Sequence, residues 1–139
     1  MVDPVRVRTV DDVALVFMEA NTNLDPGIER WFEALRRPEI RKSLVLAVGP
    51  ISSEASRRRR TVGVVGEQGI RIVAVSDDRF NHGLVRVFSY FGLSISAFGW
   101  DQLEDAARSV AARPELVESI VREARQLHAQ SATAQSLDD

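Results

Sequence analysis

The stretch Val48-Gly49-Pro50-Ile51-Ser52-Ser53-Glu54 sets two hydroxyls between an apolar run and a helical pattern. Parallel sheets present ligands and modifications at the carboxyl ends of their strands, and this is such an end. Unpaired backbone N–H groups and the positive end of the helix dipole favour an anion there, so Ser52 and Ser53 are candidate phosphorylation sites. Arg57 follows Ser53 by one helical turn on the same face, within reach of a phosphate. Gly49, Glu54 and Arg57 then form a candidate partner-binding surface. The plainer use of the same residues is a helix capped by one serine, with the other solvated.

Elsewhere the chemistry is sparse. There is no cysteine, hence no disulfide, thiolate or iron–sulfur ligand, and His82 and His128 stand far apart. Asp77-Asp78 and the group Asp101, Glu104 and Asp105 fall where helix N-termini favour acids anyway. Gly63, Gly66 and Gly69 precede a strand, whereas dinucleotide and phosphate-loop glycines follow one. No catalytic residue, metal site or cofactor is expected, which makes binding a better reading than catalysis. The run Arg57 to Arg60 spreads around successive helical angles, so about two of the four should face water. Ile51, Ala55 and Val62 are the expected inner side of that helix, with Arg58 nearest to it.

The chain has 139 residues, 45% hydrophobic and 27% charged, which suits one soluble domain. Eighteen basic against twenty acidic residues leave a net charge of −2. No global field therefore favours nucleic acid or an anionic membrane, and such a contact would need a local patch. No nucleic-acid partner and no membrane insertion are expected, since no apolar run approaches the roughly 18 residues that span a bilayer. Met1-Val2-Asp3-Pro4 does not read as a signal peptide, and a cytoplasmic protein is expected. Seventeen arginines against the single Lys42 read as the composition of a GC-rich bacterial genome.

These residues need elements to hold them. Val5–Val10 alternates apolar and basic, as a strand with one wet face does, and Val13–Met18 is apolar throughout, as one covered on both faces is. Asp11-Asp12 joins them as a hairpin, with the second strand further inside the sheet. Asp25-Pro26 starts a helix carrying Ile28, Trp31, Phe32 and Leu35, and Pro38 closes it. Ser43–Val48 is a buried strand broken by Gly49-Pro50, and a second helix runs from about Ile51 to the Gly66–Gly69 stretch. Ile70–Val75 is the next strand. Ser76-Asp77-Asp78 caps a third helix with an expected core face of Phe80, Leu84, Val87, Phe88 and Phe91, stopped by Gly92. Ser94–Phe98 is the last strand, followed by a helix from about Asp101 with Leu103, Ala106, Ala107 and Val110. After Pro114, helical spacing resumes through Leu116, Val117, Ile120, Ala124 and Leu127.

The order β-β-α-β-α-β-α-β-α predicts an α/β fold on a mixed, mostly parallel sheet of about five strands, because each strand–helix–strand unit returns through a right-handed crossover. Residues 1–112 form the expected domain. Residues 113–129 form an added C-terminal helix, packed on the domain or on a partner, and 130–139 a flexible tail.

That order, together with the serine-bearing junction, resembles the STAS-type domains of bacterial anti-sigma-factor antagonists over about residues 5–112. Val75-Ser76-Asp77-Asp78 and the segment from Phe98 to Ala106 look like the corresponding late elements. The family motif is Asp, Ser, Ser or Thr, then Gly, and phosphorylation of a serine in it switches binding to a partner kinase. Ser52-Ser53 matches the serine pair, whereas Ile51 replaces the Asp and Glu54 replaces the Gly. The resemblance implies a non-enzymatic, STAS-like regulatory module whose partner is a kinase or an anti-sigma-like factor. Two other readings come from the apolar helices. One is an apolar small-molecule or lipid binder, with the ligand beneath the helix of Phe80, Phe88 and Phe91. The other is a structural homo-oligomer, most simply a homodimer, built through that helix or the one after Pro114.

Overall fold

The computed structural model describes residues 5–20, 25–51 and 54–130. Strands β1 (Val5–Val10) and β2 (Val13–Glu19) pair antiparallel across the Asp11-Asp12 turn, with Val5 opposite Met18 and Val10 opposite Val13. Asp11 takes a φ of 54°, a turn conformation that aspartate tolerates. Strands β3 (Lys42–Val48), β4 (Arg71–Val75) and β5 (Ile95–Phe98) join in parallel, giving the sheet order β1-β2-β3-β4-β5. The helices are α1 (Asp25–Leu35), α2 (Ala55–Gln68), α3 (Arg79–Tyr90), α4 (Leu103–Val110) and α5 (Leu116–Ala129), with a 3-10 turn, Trp100–Gln102, before α4. The fold is thus α/β on a five-stranded mixed sheet that is mostly parallel. β2 is buried along its whole length between β1 and β3, as its uninterrupted apolar run requires.

Each right-handed crossover advances the sheet by one strand, so α1, α2 and α3 lie on one face and leave the other to α4 and α5. Side chains alternate between the faces. On the first face Ala14, Val16 and Met18 meet Trp31, Phe32 and Leu35 of α1, and Val64 and Val65 of α2 also join this core. On the second, Leu15, Phe17, Leu44 and Leu46 meet α4 and α5. Ala106, Ala107 and Ala124 are fully buried there, and their small size lets both helices approach the strands. On the first face the indole Nε1–H of Trp31 donates to Ser43 Oγ at 3.0 Å, and that hydroxyl donates to the Ala14 carbonyl at 2.8 Å. Both polar groups are therefore satisfied inside the core. Gly27 lets α1 approach β1, because a Cβ at this position would overlap the side chain of buried Val5.

Three sequence expectations change. The basic face of β1 is not wet: α5 lies against it, Arg8 pairs with Glu123 at 2.7 Å, and Arg6 donates to the Leu127 carbonyl at 2.6 Å. A cation near the last turn of α5 is also favoured by the helix dipole. In α2, which begins at Ala55, the inner side is Thr61, Val64 and Val65, rather than Ile51, Ala55 and Val62. Arg57 and Arg58 are half-buried while Arg59 and Arg60 are exposed, two of four outward as the angular spread requires. Of the expected core face of α3, Leu84 and Phe88 are half-buried on the sheet side, whereas Phe80, Val87 and Phe91 are exposed at 53%, 38% and 64%. The tail from residue 131 lies outside the described residues.

Candidate functional site

The turning of α3 originates at one polar side chain. Asn81 is the only buried residue of α3, and its amide joins two loops at the carboxyl ends of β3 and β4. Its Oδ1 accepts the Ile51 N–H at 2.9 Å, and its Nδ2 donates to the Gly49 carbonyl and to Ser76 Oγ, both at 2.8 Å. Ser76 Oγ also accepts the Asp78 N–H, and Asp78 caps the helix by accepting from the N–H groups of Phe80 and Asn81. His82 Nε2–H donates to the Ser76 carbonyl at 2.6 Å. With Asn81 directed at the sheet, the residues that share its side of the helix are Leu84, Val85 and Phe88, and these remain only half-buried.

Beneath them the sheet presents small side chains, Ala47 on β3 and Ala74 on β4. The outcome is a cavity of about 120 Å³ between the sheet and the three helices, with a lining that is almost wholly apolar. Trp31 and Ile28 bound it from α1, Thr61 and Arg57 from α2, Leu84 and Phe88 from α3. The Thr61 hydroxyl is used within α2, donating to the Arg57 carbonyl at 2.9 Å, and the amide of Asn81 is committed to its loop partners. An apolar cavity of about 150 Å³ holds benzene or xenon.

The expected site residues separate. Gly49 sits at the cavity end of β3 with a φ of 76°, and a Cβ there would lie 2.7 Å from Ala20 Cβ. Gly49→Ala is therefore expected to cost about 1–2 kcal/mol from the left-handed backbone alone, measured as a lower denaturation midpoint. Arg57 lines the cavity, and Glu54 is exposed just before α2. Ser52 and Ser53 lie outside the described residues. Asp77 accepts the Trp100 N–H at 2.9 Å, and the Trp100 indole stacks on His128 at 4.4 Å while donating to the Ala47 carbonyl. Arg108 ties Glu104 and Asp105 into exposed helical ion pairs. Among the described residues no three His, Asp or Glu side chains gather as a metal site, and no helix is long and apolar enough to cross a membrane.

The sequence offered an apolar ligand beneath the third helix only as an alternative reading and did not single out the residues that make the space: Asn81, Ala47, Ala74 and Trp31. Asn81 carried one signal, a polar residue four before Val85 and seven before Phe88, within an otherwise apolar helical side. The fold and cavity together define an α/β protein with an apolar pocket between its sheet and α1, α2 and α3. No family model, curated protein or solved structure matches the chain.

Proposed function

We propose that the protein binds a small apolar ligand in the chamber beneath α3: an aromatic ring, or the end of an acyl chain. The observation that carries this is the cavity itself, because close-packed interiors rarely leave such a volume empty and apolar. Its roof, α3, has no fully buried apolar side chain, so a guest gains contacts that the protein leaves unmade. Release and uptake need only movement of α3 against its Asn81 attachment. Thermal melting with toluene or indole tests this. At ten times the dissociation constant a guest adds about 1.4 kcal/mol of stability, or about 5 °C for a domain of this size. A melting temperature unmoved up to the solubility limit of both compounds would refute the proposal.

The element order found in the described residues favours a second reading, a STAS-like regulatory module that docks a kinase or anti-sigma-like factor at the junction from Gly49 to Arg57. Phosphate on Ser52 or Ser53 in protein recovered from its native cells, together with loss of partner binding in Ser52→Asp or Ser53→Asp, would support it. Absence of phosphate and unchanged partner binding would remove it.

A further inference from the structure

The outward side of α3 joins an apolar row to a basic one. Phe80, Val87 and Phe91 recur at spacings that return to one side of a helix. Phe80, Val87 and Phe91 are exposed, and Tyr90 beside them is 91% exposed. Arg79 and Arg86, each preceding a member of that row, form the adjoining row and are both exposed. α3 contains no acidic residue. Asp77, which accepts the Trp100 N–H, lines a pocket with Arg79 and Arg86, and Asp78 caps the helix. Residues 55–90 carry seven arginines against three acids in a chain of net charge −2, with four of the arginines on α2 and two on α3.

We propose that this face docks on an anionic lipid surface, with Phe80, Val87 and Phe91 entering the headgroup boundary, Tyr90 at its edge, and Arg79 and Arg86 on the lipid phosphates. The charge selects the occupant. A second copy of the same face would set the exposed Arg79 and Arg86 opposite their own counterparts, with Asp77 as the acid in that pocket. Aromatic side chains bordered by arginine are the composition of helices that lie in the plane of a membrane interface. Docking uses the outer side of α3 and the chamber its inner side, so either can fail without the other.

Co-sedimentation of the full chain with phosphatidylcholine vesicles, with and without phosphatidylserine, tests the proposal. Binding is expected only to the anionic vesicles and should fall steeply with salt. Each of Arg79→Gln and Arg86→Gln should weaken it about fivefold, and Phe80→Ser with Phe91→Ser should reduce it about tenfold or more. These side chains are exposed, so the variants should keep the parent circular dichroism and melting temperature. Absence of binding to anionic vesicles, equal binding to neutral ones, or folded variants that bind like the parent would overturn it. So would a dimer in light scattering that Phe80→Ser and Phe91→Ser convert to monomer without any vesicle binding, which would assign the face to self-association. A soluble acidic polypeptide such as polyglutamate bound in preference to the vesicles would count against it equally.

Discussion

Asn81→Ala is expected to destabilise the protein by about 3 kcal/mol and to loosen α3 before the rest of the fold. The side chain makes three hydrogen bonds from a buried position to Gly49, Ile51 and Ser76. Each partner left unsatisfied in such a place costs about 1–3 kcal/mol, and partial access of water at the loops reduces the sum. Most helices would hold their place by apolar burial, but α3 has no buried apolar residue to compensate. Its amides should therefore lose hydrogen-exchange protection at a lower free energy than those of β2 and β3. Ser76→Ala, which removes one of the three bonds, should cost about 1 kcal/mol. A loss below 1 kcal/mol in Asn81→Ala, with exchange in α3 unchanged, would show that the helix is held by something other than this amide.

Ala74→Leu is expected to weaken binding of toluene by tenfold or more while leaving stability unchanged or raising it by about 1 kcal/mol. Ala74 lies between Val45 and Ala97 across the sheet and points into the chamber beneath α3. Leucine there adds three carbon atoms to a space of about 120 Å³, enough to exclude an aromatic ring. Substitution of a small residue by a large one usually strains a close-packed core. Here the added atoms meet empty volume, so opposite signs for stability and affinity distinguish a ligand chamber from an ordinary packed face. Ala106→Leu, on the fully buried opposite side of the sheet, is the contrasting case and should cost about 1–3 kcal/mol. Equal toluene affinity in Ala74→Leu and the parent would place the guest elsewhere.

The strands were legible because their burial is written locally. The continuous apolar run of β2 identified a strand covered on both faces, and Ser43–Val48 bounded by Gly49-Pro50 identified β3. Leu103, Ala106, Ala107 and Val110 marked the packed face of α4, which is buried as expected. Where the outcome depended on partners distant in sequence, the local pattern failed. The apolar row of Phe80, Val87 and Phe91 looks like a core face by spacing alone. Its rotation outward is set by Asn81, whose partners lie at Gly49, Ile51 and Ser76. The basic residues of β1 likewise read as solvated because nothing near them announces α5, more than a hundred residues away, which supplies Glu123 and the Leu127 carbonyl. The cavity is a difference between the height of α3 and the size of Ala47 and Ala74, and no single segment encodes it.

The central claim is that an apolar guest occupies the space under α3, and methyl NMR during a toluene titration locates it directly. Saturable shifts are expected at methyl groups of Val45, Leu84, Val85 and Ile95, which line the chamber. Methyl groups of Leu15, Leu44 and Leu127, in the core on the other face, should stay in place. Shifts that are linear in concentration, or that fall equally on both faces, would contradict the account.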